Sequence, residues 1–155
     1  MSPDTVPSTS TWLGFELAGQ HYAVPLADVR EIMHPEPPAP VPGAPTDVLG
    51  IINLRGSIVT VLDGCIRLGL AANGDGPDQR LVIFQDELET VGMRIDALHD
   101  VLELDTRELM PSPPGRVARA DDPVLGALYR EGTFIALLDT RKLCRPRTTT
   151  MEASA

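Results

Sequence analysis

Apolar residues recur along the chain in short runs that glycine, proline and polar clusters separate. Leu13, Phe15 and Leu17 alternate with other residues, and a mostly β-branched run covers residues 58–62. Alternation with a period of two predicts a half-buried strand, and a short aliphatic run bounded by turn residues predicts a buried one. Because 15 prolines and 13 glycines leave no room for a long helix, the pattern predicts an all-β protein. Further strands are predicted near residues 22–26, 29–33, 81–84, 91–95 and 133–138.

The stretch from residue 50 to residue 68 holds the densest set of structural signals. Gly50 and Gly56 bracket a polar tip at residues 53–55, and the apolar run follows the second glycine. We predict that Gly56 adopts a positive φ or leaves room for another backbone segment, because glycine lacks a Cβ atom. Asp63 ends the run and is expected to be the N-cap of a short helical turn over residues 64–70.

A second copy of this stretch covers residues 126–143, at an offset of 76 residues, and two upstream segments also match, at an offset of 69. Such a repeat indicates a duplicated unit. We predict two β subdomains, about residues 12–70 and 80–143, that pack on each other because each is small for an independent core. Whether they exchange strands is left open. The matched turn and cap residues are Gly50 with Gly126, Gly56 with Gly132, and Asp63 with Asp139.

The chain ends and the proline-rich segments are predicted to lie outside the core. Residues 1–11 are small, polar and proline-bearing, so we predict a disordered tail there, a folded domain over residues 12–145, and a second tail over residues 146–155. The six prolines of residues 34–46 predict a stiff surface crossing, with a polyproline ligand for an aromatic groove as the alternative.

Net charge argues against two classes of partner, and targeting signals and cysteines indicate the cellular compartment. The net charge of −9 and the pI of about 4.7 argue against nucleic acid and anionic lipid, which bind clustered lysine and arginine. No signal peptide and no membrane-spanning apolar run are found, so we expect a cytoplasmic protein without direct membrane insertion. Cys65 and Cys144 are expected to be buried reduced thiols, with a bridge between the copies as the alternative.

Candidate chemistry is sparse. The histidines, His21, His34 and His99, show no metal-ligand spacing, so we expect neither a metal nor a cofactor, and no enzyme. A hydrolase that uses a cysteine nucleophile is the enzymatic alternative. Arg55 is the one residue that suggests binding, because arginine among apolar residues is typical of interface hot spots. A solvated turn arginine is the simpler interpretation. The equivalent residue in the second copy is Glu131, so the two subdomains present different surfaces.

The pattern GxxNLRGxIVxVLD, which begins at Gly50 and ends at Asp63, resembles the CheW family of chemotaxis coupling proteins. The resemblance extends over about residues 12–143. It implies two packed SH3-like five-stranded β-barrels with short helical turns. It also implies a non-enzymatic scaffold that joins the cytoplasmic tip of a methyl-accepting chemoreceptor to the regulatory domain of a CheA-type histidine kinase. Self-association within membrane-bound receptor arrays is a further implication.

The resemblance also suggests which residues bind. Arg55 matches the arginine associated with receptor binding, with Asn53 and Leu54 in the same motif, and Val29 and Glu31 match a neighbouring strand face. Ile51, Ile52 and Leu54 are expected to form an apolar groove for a receptor helix. Kinase contacts are implied only by region, at the edges of both barrels. A twitching-motility or other chemosensory pathway, and a generic SH3-like interaction module, remain as alternatives.

Overall fold

Ten β-strands and two single-turn helices form the computed structural model, which describes residues 9–71, 76–86, 89–110 and 122–145. Two 3-10 turns cover Leu26–Asp28 and Thr106–Glu108. The helices are α1 Gly64–Arg67 and α2 Thr140–Leu143. The strands are β1 Thr9–Leu17, β2 Gln20–Pro25, β3 Val29–Met33, β4 Val48–Leu54, β5 Ser57–Asp63, β6 Arg80–Asp86, β7 Glu89–Ile95, β8 Ala97–Asp105, β9 Val124–Arg130 and β10 Thr133–Leu138.

The boundaries of two predicted elements need correction. The first strand begins at Thr9, so residues 9–11 are paired backbone and not part of a disordered tail. The hydrogen bond from the Thr11 hydroxyl to the carboxylate of Glu103 on β8 adds to this pairing. The first helix ends at Arg67, earlier than predicted. Residues 1–8 and 146–155, the rest of the two predicted tails, lie outside the described residues.

The strands form two five-stranded sheets, and each sheet takes strands from both halves of the chain. Sheet A has the order β8-β1-β2-β10-β9, and sheet B has the order β3-β6-β7-β5-β4. The first copy therefore gives β1 and β2 to sheet A and β3, β4 and β5 to sheet B, while the second copy makes the complementary contribution. Parallel pairing of β2 with β10 and of β5 with β7 joins the exchanged segments.

Each sheet curls until its two edge strands share one interior. In sheet B, Met33 of β3 and Ile52 of β4 pack in the same apolar cluster, although these strands lie at opposite edges. In sheet A, Leu104 of β8 and Leu128 of β9 do the same. Shared interiors of this kind are what closure of a sheet into a barrel requires. The predicted all-β fold of two packed five-stranded barrels is confirmed.

The two barrels pack on each other through a third and larger apolar cluster. Phe15 and Leu17 of sheet A meet Phe84 and Met93 of sheet B there, and each of these side chains is at most 1% exposed. Cys65 and Cys144 lie buried in the same cluster as thiols, and no disulfide bridges the copies. Because side chains from both sheets form this cluster, each barrel needs the other to complete this part of the apolar core.

Arg67, a buried arginine, links the two helices. Its Nε atom donates to the carbonyl oxygen of Leu143 at 3.2 Å, and Nη2 donates to that of Lys142 at 2.6 Å. These carbonyls belong to the last turn of α2, where carbonyl groups lack the regular partner four residues ahead, although Lys142 also accepts from the Arg145 N–H group at 3.2 Å. Arg67 therefore satisfies backbone acceptors of one repeat with a side chain from the other.

Two glycines allow chain segments to close the exposed sides of the edge strands β4 and β9. Ala39, in the proline-rich segment, forms a two-bond antiparallel bridge with Ile51, and Met110 forms one with Ala127. A Cβ atom on Gly50 would lie 2.3 Å from the Ala39 carbonyl oxygen, and one on Gly126 would lie 2.2 Å from that of Met110. The matched glycines of the repeat are thus positions where a second backbone approaches closely.

Candidate binding site at a hairpin tip

The NLRG residues form the tight turn between β4 and β5. Leu54 pairs with Ser57, and the two residues between them have positive φ angles, 49° at Arg55 and 88° at Gly56. Positive φ at both central residues is the signature of a type I′ hairpin turn, whose twist matches that of the flanking strands. The Asn53 side-chain oxygen accepts a hydrogen bond from the Gly56 N–H group at 2.9 Å. The turn therefore presents Arg55 at the end of a well-supported hairpin.

Arg55 is held in an ion pair that crosses the seam of barrel B. Its two Nη atoms donate to the two carboxylate oxygens of Glu31 on β3, the strand at the opposite edge of the sheet. The Arg55 side chain remains 65% exposed and that of Glu31 remains 26% exposed. Hydrogen bonding to Glu31 raises the pKa of Arg55 above its ordinary value, so the guanidinium stays charged.

Two exposed apolar side chains lie on β5 and β3, and Ile32 points to the sheet face opposite Glu31 because the two residues are adjacent in β3. Ile58 lies directly opposite Asn53 on β5 and is 63% exposed, and Ile32 follows Glu31 on β3 and is 37% exposed. A shallow groove continues from Ile58 toward β7, with Ser57, Ile58, Thr60, Glu89, Thr90 and Val91 along its sides. The site thus combines a fixed cation with apolar surface, the pairing that protein interfaces favour.

Ile58 corrects the sequence-based interpretation, which treated residues 58–62 as one buried run. Val59 and Val61 are buried, while Ile58 faces solvent, because successive side chains of a strand point to opposite faces. The sequence shows this alternation at Val59, Thr60 and Val61, because the polar Thr60 lies on the same strand face as Ile58. This signal would have identified Ile58 as a surface residue.

Other predicted residues lie elsewhere. Val29 packs against the core shared by the barrels, and Leu54 packs into the interior of barrel B. Ile52 is only 5% exposed, and the backbone of Ile51 is bridged by Ala39. The three side chains therefore do not form the expected apolar groove, because Ile52 and Leu54 pack into the barrel interior and Ile51 points to the opposite face of β4. Of the predicted binding residues, Glu31, Asn53 and Arg55 meet at the turn.

The capping aspartates occupy equivalent places in the two copies. Asp63 accepts a hydrogen bond from the Ile66 N–H group at 3.2 Å, and Asp139 accepts one from that of Lys142 at 3.3 Å. Asp63 also forms an ion pair with Arg94 of β7, with 2.8 Å between Oδ2 and Nη2. Both aspartates therefore have a structural explanation that requires no catalytic role.

The equivalent hairpin of the second copy has the same turn but a different surface. Glu131 and Gly132 have φ angles of 49° and 84°, close to those of Arg55 and Gly56. Beside this turn, Tyr129 and Phe134 form an edge-to-face aromatic pair with 4.9 Å between ring centroids, and each residue is more than half exposed. One tip therefore offers a cation near the exposed Ile58, and the other offers an acid beside two aromatic rings.

The structure also brings together three residues that the sequence interpretation kept apart. Glu16, His21 and His99 lie on adjacent strands of sheet A, with their ligand atoms within 4.8 Å of one another. Linear spacing could not reveal this cluster, because His99 is far from the other two residues along the chain. Among the described residues, no helix has the length and apolar character needed to cross a lipid bilayer.

Comparison with known proteins agrees with this architecture. Residues 11–147 match the family model described as CheW-like domain. The chain is 32% identical to the chemotaxis protein CheW of Rhizobium meliloti (strain 1021) over 127 residues, which are 82% of each protein. It is 22% identical over 135 residues to Protein PilI of Pseudomonas aeruginosa, covering 86% of this chain and 76% of that protein.

A solved structure has the same fold. The scaffolding protein TtCheW from Thermoanaerobacter tengcongensis superposes with a TM-score of 0.75 at 28% sequence identity, covering 84% of this chain and 88% of that chain. The similarity therefore extends over both barrels and is not confined to the NLRG motif.

Proposed function

The chain belongs to the CheW-like domain family, whose members are non-enzymatic scaffolds, and we propose that it couples methyl-accepting chemoreceptors to a CheA-type histidine kinase. In this proposal the protein works in the cytoplasm and is recruited to membrane-bound receptor arrays. The observation that carries the proposal is the Arg55–Glu31 pair, which presents a charged, mostly exposed arginine on a supported hairpin tip.

We assign the receptor to this tip. A guanidinium has five N–H donors, and Glu31 accepts from two of its nitrogen atoms, so Arg55 retains donors for an acceptor on the partner. The exposed side chain of Ile58, which follows the turn on β5, supplies apolar contact. An amphipathic receptor helix that places one acidic or carbonyl group beside an apolar residue would match this surface.

We assign the kinase to surfaces on barrel A. The exposed pair of Tyr129 and Phe134 is the largest aromatic feature of the described surface outside the cores, and aromatic residues are enriched in interface hot spots. The different surfaces of the two tips allow one chain to bind two partners at once. In an array, many such modest contacts would combine into stable assembly, and copies of the chain would meet one another.

Reconstitution with receptor-containing membranes and a CheA-type kinase tests the assignment. We expect Arg55→Glu to reduce co-sedimentation of the chain with receptor membranes by about 10-fold or more, as loss of a hot spot does. Binding of the chain to the purified kinase should not change. Arg107→Glu is the matched control, because Arg107 is an exposed arginine in a comparable ion pair, with Asp105.

A charge swap separates recognition from barrel closure. In the double variant Arg55→Glu with Glu31→Arg, the ion pair across the seam can form again with its charges exchanged. If receptor recruitment stays low in this variant, the partner contacts Arg55 itself. Recovery of receptor recruitment in the double variant would show that the pair only holds the barrel closed. A loss of recruitment in Arg107→Glu as large as that in Arg55→Glu would show a nonspecific effect of charge. Either result would refute the receptor assignment.

The signalling pathway is a separate question. The match to Protein PilI shows that relatives of this chain are not all named as chemotaxis proteins. A scaffold in a twitching-motility or other chemosensory pathway is therefore the second candidate function. Mass spectrometry of the kinase that co-purifies with the wild-type chain from its own cells would distinguish the pathways. Recovery of neither a receptor nor a kinase would favour a generic interaction module.

A further inference from the structure

A cluster of two imidazoles and one carboxylate lies on sheet A, away from the hairpin tip assigned to the receptor. Glu16 of β1 and His21 of β2 are directly paired across the first hairpin. His99 comes from β8, which pairs with the other side of β1. Three adjacent strands therefore each contribute one possible metal ligand, and β1 holds the central one.

A β-bulge explains why His99 reaches the other two residues. Leu13 pairs with Val101, but Phe15 pairs with Leu98, so β8 contains one extra residue opposite Gly14. Gly14 leaves room for this bulge, because a Cβ atom there would lie 3.2 Å from the Asp100 carbonyl oxygen and 3.6 Å from the His99 Cβ. Bulges redirect side chains, and they are common beside functional sites for that reason.

The distances are close to those of a coordinated ion. The His99 Nε2 atom lies 3.6 Å from Glu16 Oε2, the ring centroids of His21 and His99 lie 4.9 Å apart, and no two ligand atoms are more than 4.8 Å apart. Ligands at about 2.1 Å from a tetrahedral ion are about 3.4 Å apart, so small side-chain rotations would complete the site. Glu16 and His21 are partly buried, while His99 is more exposed and can adjust.

We propose that Glu16, His21 and His99 form a zinc-binding site with a fourth position open to water or another ligand. Two imidazoles and a carboxylate are a ligand set that Zn²⁺ accepts, whereas Mg²⁺ and Ca²⁺ need six or more oxygen ligands. The net charge of −9 favours the approach of a cation. A bound ion would fasten the edge strand β8 to the β1–β2 hairpin. Because β8 belongs to the second copy, it would also link the two halves of the repeat.

Titration of the full chain with Zn²⁺, followed by calorimetry, tests the proposal. We expect one ion per chain, a raised melting temperature and no response to Mg²⁺. Each of His21→Ala, His99→Ala and Glu16→Gln should weaken binding by at least about 10-fold, since even outer-shell partners are worth that much. His34→Ala is the matched control, because His34 is an exposed histidine in the proline-rich segment, and it should bind Zn²⁺ like the wild type.

Substitution of Co²⁺ for Zn²⁺ gives a readout of the ligands themselves. Intense visible absorption would indicate tetrahedral coordination, and the His21→Ala and His99→Ala variants should lose it. Glu16→Gln preserves the shape of the side chain, so this variant still tests the site if a histidine variant fails to fold. Absence of binding at submillimolar Zn²⁺, or equal binding by the wild type and all three ligand variants, would overturn the proposal.

Discussion

The bridge between the proline-rich segment and β4 predicts a specific cost for adding one methyl group at Gly50. In Gly50→Ala the new Cβ atom would lie 2.3 Å from the Ala39 carbonyl oxygen. Ordinary C···O contacts are about 3.3 Å, so the segment must retreat by about 1 Å. The Cβ position is fixed by the Gly50 backbone and the oxygen belongs to the Ala39 backbone, so no flexible side chain can absorb the displacement.

The magnitude follows from the bonds that this retreat would break. The bridge consists of two N–H···O bonds between Ala39 and Ile51, with N···O distances of 2.8 and 2.9 Å. A retreat of about 1 Å takes both beyond hydrogen-bonding distance, and each is worth about 1 kcal/mol net. The φ angle of 149° adds about 1 kcal/mol of backbone strain for alanine. We therefore expect a loss of about 3 kcal/mol in the free energy of unfolding.

Urea unfolding and thermal melting measure this loss directly. For a chain of this size, about 3 kcal/mol corresponds to a fall in melting temperature of roughly 6–12 °C. Gly76→Ala is the matched control, because a Cβ atom at Gly76 would meet nothing within 4 Å. Gly126→Ala should behave like Gly50→Ala, since the Met110 carbonyl oxygen lies equally close. If Gly50→Ala were no less stable than Gly76→Ala, the close approach of the segment would be refuted.

Two further substitutions separate stability from binding. Arg67→Met should lower the free energy of unfolding by about 3 kcal/mol, because the Leu143 and Lys142 carbonyls lose a buried charged donor. Urea unfolding measures this change, and a loss below about 1 kcal/mol would contradict the link between the helices. Ile58→Lys should stay within about 0.5 kcal/mol of the wild type, since the side chain is exposed, while recruitment to receptor membranes falls as for Arg55→Glu. Normal recruitment of Ile58→Lys would remove Ile58 from the proposed receptor surface.

The sequence by itself determined the local geometry of the repeat. Gly56 and Gly132 were identified as turn residues, and both have positive φ angles. The predicted caps, Asp63 and Asp139, both accept a hydrogen bond from a helix N–H group. These features depend on a few neighbouring residues, because backbone sterics and the unpaired N–H groups of a helix start act over short distances along the chain. The NLRG motif likewise identified the family before any contact was known.

Only the tertiary structure decided which residues meet across the barrels. Exchange of strands between the copies was left open by the pattern, because hydrophobic alternation specifies which face of a strand is buried but not its neighbours. The pairing of Arg55 with Glu31 required sheet B to close on itself, and the approach of His99 to His21 required a bulge in β8. These contacts join residues that are distant in sequence, so the ion pair and the histidine cluster form only when the sheets close in the correct register.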